Sequence, residues 1–186
     1  MKSNRAVLAG MALMAVTALL FIGGCTGTST RADLHIISVN DNKTFYSDLI
    51  NEADTAHIFI PVDQVQVKFA NVQHDGGLPV QPGQGFDEII VDHYTVTYDN
   101  GIYSPVSGGM NVAIPSGGET VAAITISNPS EKGALLGSIT TTVTATARID
   151  FTGWVRTTGN DGDRVSATAY LTVQVDNFGD SNVNSP

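Results

Sequence analysis

The sequence contains one cysteine, Cys25, and few basic residues. Nine Lys and Arg face 18 Asp and Glu, which gives a formal net charge of −9 at pH 7. This excess of negative charge argues against nucleic acid as a partner and against attraction to anionic lipid. A single cysteine provides no intrachain disulfide, so packing alone must stabilise the fold. That is feasible because a chain of this size buries roughly 70% of its unfolded surface.

Recognisable catalytic and metal-ligand spacings are missing as well. A G-x-S-x-G nucleophile elbow is absent, and the Gly-rich stretches 77–86 and 106–110 do not follow a strand and open a helix as a phosphate-binding loop does. No histidine has a partner at His-x-His or His-x3-His spacing; the four histidines are His35, His57, His74 and His93. We therefore predict no enzyme and no cofactor, with a hydrolase built from a spatially assembled Ser-His-Asp set as the less favoured alternative.

Acidic turn sequences are the remaining sign of a metal site. The stretch "NDGD" (160–163) supplies Asp161 and Asp163, and Ca²⁺ prefers carboxylate and carbonyl oxygens on flexible loops. The ordered D-x-[DN]-x-[DN]-G pattern with a distal Glu is absent, and Asp, Asn and Gly favour tight turns for backbone reasons alone. We therefore expect no metal, with these two aspartates as weak calcium candidates.

The N-terminus is typical of a secretory signal. Met1–Arg5 carries two positive charges, and residues 6–22 form an uncharged run of 17 residues rich in Ala, Leu, Met and Val. A charged start, a short apolar core and small residues at the end are the marks of a cleaved signal peptide. Seventeen residues also lie at the low end for a membrane span, so a transmembrane anchor is an alternative.

The end of this run, Ile22-Gly23-Gly24-Cys25, resembles the lipobox of bacterial lipoproteins: a branched apolar residue, two small residues, then cysteine. The resemblance covers residues 1–25. It implies that residues 1–24 are removed as a signal peptide, that the Cys25 sulfur carries a diacylglyceryl group, and that the new amine is acylated, with palmitate as a typical chain. The alternative is a plain secretory signal with a chance cysteine.

Lipidation of this kind implies a membrane location. Several acyl chains hold a protein stably, because each buried methylene contributes ~0.8 kcal/mol. Thr26 is not the aspartate that often retains such lipoproteins at the inner membrane. We therefore expect an outer-membrane lipoprotein that faces the periplasm or the cell surface.

The remaining 162 residues predict one domain with a polar segment at each end. Residues 25–33 comprise the lipidated cysteine and a short tether of small polar residues, residues 34–176 form the domain, and residues 177–186 form a flexible tail. Loss of residues 1–24 would leave seven basic residues against 18 acidic ones, so the mature protein is more acidic than the whole chain.

Alternation of apolar and polar residues with period two predicts β-strands. It is clearest in residues 143–155 and 165–175. A three-residue loop that ends at Gly162 would join these runs into a long hairpin, with this glycine in the left-handed conformation. The resulting register pairs Phe151 with Leu171.

Other strand signals recur at short spacing between residues 34 and 127, among them a short apolar run at residues 57–60. Seven or eight strands, without a helix long enough for a crossover between parallel strands, predict an all-β antiparallel sandwich. The layout of "VDHYTVTYDNG" followed by the C-terminal hairpin resembles immunoglobulin-like domains of bacterial lipoproteins, without the cysteine pair of true immunoglobulin domains. The resemblance implies a fold and no activity, because this fold hosts many functions.

Trp154 is the leading candidate for a binding residue. By alternation it lies on the polar face of the hairpin, with Tyr170 as a diagonal neighbour and with Arg148 and Arg156 on the same face. Trp, Tyr and Arg are the residue types that dominate binding hot spots. The alternatives are a bulge at the preceding glycine that turns the indole inward, or an aromatic pair that simply stabilises the hairpin.

These patterns lead to two functional hypotheses. The first is a lipid-anchored extracytoplasmic binding or assembly module that docks an envelope protein partner through these four residues. The second is binding of a glycan or another small ligand by the exposed aromatic side chains, since sugars stack on such rings.

Overall fold

We analysed a computed structural model of the chain, which describes residues 32–52, 57–73, 87–157 and 160–178. The predicted signal peptide, Cys25, most of the predicted tether and the predicted tail from residue 179 lie outside the described residues. The elements in chain order are β1 (Ala32–Val39), a 3-10 turn (Asn40–Asn42), β2 (Phe45–Asp48), β3 (Gln64–Gln73), β4 (Glu88–Tyr98), β5 (Val106–Ile114), β6 (Glu119–Thr125), α1 (Pro129–Leu135), β7 (Val143–Thr157) and β8 (Asn160–Asp176).

The described chain is all-β, as predicted, with eight strands in two sheets and one short helix. A three-stranded sheet has the order β1-β3-β6, and a five-stranded sheet has the order β2-β8-β7-β4-β5. The pairings between these strands are antiparallel except that of β2 with β8. The prediction of purely antiparallel sheets was therefore wrong for this pair. No crossover helix is needed there, because the two strands come from opposite ends of the domain.

The hydrophobic core lies between the two sheets. Strand residues of both sheets alternate between buried and exposed positions, as the period-two pattern predicts. At its centre, the fully buried rings of Phe69 on β3 and Phe151 on β7 meet edge to face, with centroids 5.0 Å apart. Such aromatic pairs add about 0.5–1.5 kcal/mol beyond the burial of their surface, so this contact helps to hold the sheets together.

Two tyrosines of β4 also connect the sheets. The backbone N–H of Thr125 on β6 donates to the Tyr94 hydroxyl at 3.2 Å, and the Tyr98 hydroxyl donates to the carbonyl of Ile126 at 2.9 Å. The two tyrosines are four residues apart and therefore lie on the same, buried face of β4. From there they reach the backbone of two consecutive residues at and just beyond the end of β6, Thr125 and Ile126. They thereby satisfy polar groups that the ladder between β3 and β6 leaves open.

The predicted register of the β7–β8 hairpin was wrong by four residues, although the assignment of faces was right. Phe151 pairs with Ala167 instead of Leu171, because the strands already meet at Thr157 and Asn160. Gly162 therefore lies inside β8. A Cβ atom there would approach the carbonyl oxygen of Val155 to 2.3 Å, so the glycine permits a close backbone contact and does not form the turn.

The domain extends slightly beyond the predicted bounds at both ends. Strand β1 begins at Ala32, whose side chain is fully buried, within the predicted tether. Beyond β8, the ring of Phe178 packs edge-on against Tyr46 at 5.6 Å, and its backbone N–H donates to Asp48 Oδ1 at 3.2 Å. The predicted tail thus contributes at least this residue to the packing of the edge strand β2.

Candidate binding surfaces

The four predicted binding residues all lie on the solvent side of the five-stranded sheet, which we call the outer face. They form two separate groups. Tyr170 is paired with Arg148, whereas Trp154 is paired with Arg164, farther along the hairpin. Positions 164 and 170 of β8 are about 20 Å apart at ~3.3 Å per residue, so the predicted contact between Trp154 and Tyr170 was wrong. The cause is the four-residue error in register.

Tyr170 is the more exposed of the two aromatic residues. Its side chain is 67% exposed, the largest value among the exposed large hydrophobic residues described. Beside it, Arg148 donates from Nη2 and Nε to Asp150 Oδ1 at 2.9 and 3.1 Å. Thr168 donates to the same oxygen at 2.6 Å. The positive charge of the arginine is therefore balanced on its own strand, which leaves the tyrosine as the main contact group here.

Trp154 is half-buried on the outer face. Its partner on β4 is Ile90, which points outward and is nevertheless only 5% exposed. The neighbour of Ile90 on the other side is Ala113, so Trp154 is the larger of its two paired neighbours. Arg156, two residues along, forms an ion pair with Glu88 on β4. The indole therefore contributes to packing and presents only part of its surface to solvent.

A β-bulge next to Trp154 changes the orientation of two polar residues. In the pairing of β4 with β7, Val91 lies opposite Gly153 and His93 opposite Thr152, which leaves Asp92 as the extra residue. Both Asp92 and His93 consequently have access to the outer face, with the exposed histidine directly after the half-buried aspartate. Bulges re-aim side chains in this way and are over-represented near functional sites.

The sequence contains a signal for this bulge. The buried positions of β4 change phase along the strand, from Ile89 and Val91 to Tyr94 and Val96. A change from odd to even positions in one strand requires one extra residue between the two runs. The alternative of a bulge at Gly153 placed the irregularity on β7, whereas the extra residue is Asp92 on β4 and Gly153 lies opposite Val91.

The bulge borders a depression on the outer face of about 540 Å³. Within it, Arg164 Nη1 lies 2.5 Å from Asp92 Oδ2, and Thr152 Oγ1 donates to Asp92 Oδ1 at 3.3 Å. The lining residues are Asp92, His93, Thr152, Arg164, Val165 and Ser166. The depression therefore offers an ion pair, an imidazole and hydroxyl groups beside a tryptophan.

Metal-ligating side chains do not converge in the part of the chain that the structure describes. No group of three or more His, Cys, Asp or Glu is arranged there to hold an ion. Of the calcium candidates, Asp163 is half-buried on β8, and Asp161 is paired through its backbone with Arg156. His74 lies outside the described residues.

A second exposed surface lies in the segment before β3. Ile58, Phe59 and Val62 are 54%, 55% and 53% exposed, and we call residues 57–62 the apolar end loop. We predicted a short apolar strand at residues 57–60. In the structure, only Phe59 forms a bridge, with Asn51, through N···O distances of 2.8 and 3.2 Å. Two residues of this predicted strand, Ile58 and Phe59, therefore have largely exposed side chains in the structure.

A buried ion pair fixes this loop to helix α1. Lys132 on the helix is fully buried, and its Nζ lies 2.8 Å from Asp63 Oδ1 and 2.9 Å from the carbonyl oxygen of Pro61. The other carboxylate oxygen, Asp63 Oδ2, accepts hydrogen bonds from Ser47 at 2.5 Å and Ser127 at 2.6 Å. The charges are thus paired and the carboxylate is hydrogen-bonded on both oxygens, which is what burial of ions requires.

Two buried tyrosines adjoin this ion pair. The Tyr103 hydroxyl lies 3.0 Å from the Ser47 hydroxyl, and the rings of Tyr98 and Tyr103 meet edge to face at 5.2 Å. Burial raises the pKa of both phenols well above the usual value, and the negative charge of Asp63 raises it further, because each effect disfavours the phenolate.

These pKa shifts predict a loss of stability at alkaline pH. The unfolded tyrosines release their protons near pH 10, whereas Tyr98 and Tyr103 keep theirs in the folded state. Their contribution is therefore fully present below about pH 10 and decreases above it, by about 1.4 kcal/mol per pH unit for each tyrosine. We expect urea unfolding between pH 9 and 11 to show this slope. A Tyr98→Phe/Tyr103→Phe variant should have a flatter profile, and an equally steep one would contradict the assignment.

Comparison with known proteins assigns no family. No family model matches the chain, and no curated protein matches it. One solved structure does: a solution structure of a protein assigned to the late embryogenesis abundant (LEA) class, with 12% identity, coverage of 92% of this chain and 89% of that one, and a TM-score of 0.43. A likeness of that size carries no inference about function. In the described residues, no helix is long and apolar enough to cross a membrane.

Proposed function

We propose that this protein is a lipid-anchored extracytoplasmic module that docks a protein partner of the cell envelope. The observation that carries the proposal is the apolar end loop. Three large apolar side chains within five consecutive residues, Ile58, Phe59 and Val62, are each more than half exposed. Clustered apolar side chains that remain in water are typical of protein–protein or membrane contact sites.

The position of the loop relative to the anchor favours a protein partner over the anchoring membrane. Ala32, the first residue of β1, pairs with Gln73 at the end of β3. The apolar end loop ends at Val62, and only Asp63 separates it from the start of β3 at Gln64. Ten residues of strand span roughly 33 Å, so the tether and the loop lie at opposite ends of the three-stranded sheet. A chain anchored at Cys25 would present the loop away from the bilayer.

The lipid anchor itself is supported by the lipobox-like sequence and by the short connection to the domain. Cys25 precedes β1 by seven residues, which reach at most about 25 Å when fully extended. The domain would then stay close to the membrane surface, and we propose the outer membrane with a periplasmic or surface-facing domain. The mature chain is acidic, so the partner surface would combine apolar groups with basic side chains.

A non-catalytic role agrees with the absence of catalytic spacings in the sequence and of any matching enzyme family. For the detailed architecture we propose the immunoglobulin-like sandwich. It is supported by two sheets that share one core, with Phe69 and Phe151 in contact across it. The outer-face residues Trp154, Tyr170, Arg148 and Arg156 remain a second candidate surface, in which Tyr170 is the most accessible.

A partner survey in native membranes tests the proposal. The full chain would be crosslinked gently, isolated from its membranes and analysed by mass spectrometry, beside a variant that carries Ile58→Ser and Phe59→Ser. We expect one dominant envelope protein with the native chain and a loss of more than about tenfold with the variant, because exposed apolar anchors carry most of such binding energy.

Two matched variants separate the parts of the proposal. Tyr170→Ser changes the outer face instead and should leave the partner bound; loss of the partner only in that variant would move the interface to the outer face. Cys25→Ser should abolish incorporation of labelled palmitate and release the protein from membranes. If the Cys25→Ser protein remains membrane-bound, the lipoprotein assignment is wrong.

A further inference from the structure

We propose that the depression beside the Asp92 bulge is a binding site for a neutral saccharide. The site lies on the outer face and does not depend on the apolar end loop or on the lipid anchor. The arrangement of Asp92, His93 and Arg164 around the depression carries the inference, together with the adjacent Trp154.

The β-bulge at Asp92 is the first observation that favours a binding site here. A regular strand would turn one of Asp92 and His93 toward the core, where an unpaired polar group costs free energy. The extra residue instead gives both side chains access to the depression. The ladder loses regularity at this point, and the opposite strand accommodates the irregularity with a glycine, Gly153. Such a local deviation from regular pairing is expected where a side chain has a binding role.

The pairing of charged side chains around the depression is the second observation, and it favours an uncharged ligand. Asp92 is paired with Arg164 at 2.5 Å, and the side chains are 32% and 71% exposed, so both charged groups remain accessible while they neutralise each other. The neighbouring charges on the outer face are also paired, Arg156 with Glu88 and Arg148 with Asp150. An anion or a cation would have to compete with these pairs, whereas an uncharged ligand would not.

The hydrogen-bonding groups are the third argument. The depression combines carboxylate acceptors on Asp92, guanidinium donors on Arg164, and the hydroxyls of Thr152 and Ser166, which both donate and accept. His93 adds an imidazole. A ligand that carries several hydroxyl groups can use donors and acceptors side by side, and vicinal hydroxyls match the two-pronged geometry of a carboxylate or a guanidinium.

Trp154 adds an apolar surface beside the site, although it does not line the depression itself. Its position on β7 is paired with Arg164 and lies two residues from Thr152, and its side chain is only half-buried. The C–H faces of a sugar ring pack against such an aromatic surface by dispersion. The volume of about 540 Å³ falls in the range of small-molecule sites and is open toward solvent, which suits one part of a longer glycan.

Fluorescence provides a direct test, because Trp154 is the sole tryptophan in the chain. The full chain, held in a detergent without a sugar head group, would be titrated with glucose, galactose, mannose, N-acetylglucosamine, maltose, cellobiose and chitobiose. We expect a saturable change in tryptophan emission with at least one of these probes. Asp92→Asn and Arg164→Gln should each weaken binding at least about tenfold, because each removes a charged partner from the hydrogen bonds to the ligand.

The controls make the result decisive. Tyr170→Phe, on the same face but outside the depression and about 20 Å from Arg164 along β8, should leave the titration unchanged. Glucuronic acid should bind less well than glucose, and equal or tighter binding of the acid would overturn the neutral class of ligand. Absence of a saturable response across the panel, or a response that persists in both Asp92→Asn and Arg164→Gln while circular dichroism shows folded protein, would overturn the site.

Discussion

Replacement of Lys132 by methionine is expected to lower the free energy of unfolding by about 3–5 kcal/mol. Lys132 is fully buried, and the substitution would leave the carboxylate of Asp63 buried without its counter-ion. Removal of one partner from a buried ion pair has an effect of this size, because the remaining charge has lost its hydration and is no longer compensated. Urea unfolding followed by circular dichroism measures the change directly.

An exposed pair of the same type provides the control. Lys68 lies 2.5 Å from Glu119, and the side chains are 39% and 53% exposed. Lys68→Met should change the free energy of unfolding by less than about 1 kcal/mol, because solvent screens exposed pairs. The double variant Lys132→Met/Asp63→Asn should be less destabilised than the sum of its single variants, since no charge is left unpaired. Equal effects of Lys132→Met and Lys68→Met would contradict the buried pair.

Lys132→Met should also affect the proposed docking surface, the apolar end loop. Lys132 Nζ donates to the carbonyl oxygen of Pro61, which lies within the apolar end loop. The loop has little other regular structure, with one bridge between Phe59 and Asn51. Loss of the lysine would therefore loosen the segment that carries Ile58 and Val62. Buried polar networks of this kind determine the conformation of a segment more than they add net stability.

The sequence predicted the fold class and the faces of the strands, because both follow from local alternation. In β7 and β8, apolar residues at every second position indicated which side chains are buried, and Phe151 is fully buried as expected. The pairing register of β7 with β8 does not follow from this alternation, since it depends on where the chain turns between the two strands. Gly162 was interpreted as a turn residue, yet its role is to allow the close approach of the Val155 carbonyl.

Contacts between residues that are far apart in the chain could not be predicted from the sequence, for a different reason. Asp63 and Lys132 are 69 residues apart, and each is an ordinary charged residue until the fold buries both. The parallel pairing of β2 with β8 joins the two ends of the domain, and local pattern carries no trace of it. The bulge at Asp92, by contrast, is visible in the sequence as a change of phase in β4.

Replacement of Gly153 is the second change for which we expect a large loss of stability. We expect Gly153→Ala to lower the free energy of unfolding by about 3 kcal/mol, the upper part of the range for overpacking. An added Cβ would lie 2.4 Å from the carbonyl oxygen of Ile90 and 3.0 Å from Cα of Val91. Both obstacles are backbone atoms of the adjacent strand, so no side chain can rotate away, and β4 has to separate from β7 at the bulge.

Gly109→Ala on β5 is the matched control. A Cβ at Gly109 has no atom within 4 Å, and the φ angle of this residue is not positive. This substitution should be neutral or stabilising by up to about 1 kcal/mol, because glycine in a strand loses more conformational freedom on folding than alanine does. Gly153→Ala should in addition displace Asp92 and His93 and abolish the tryptophan response to saccharide. A Gly153→Ala protein as stable as Gly109→Ala would mean that the two strands are not in close contact at the bulge.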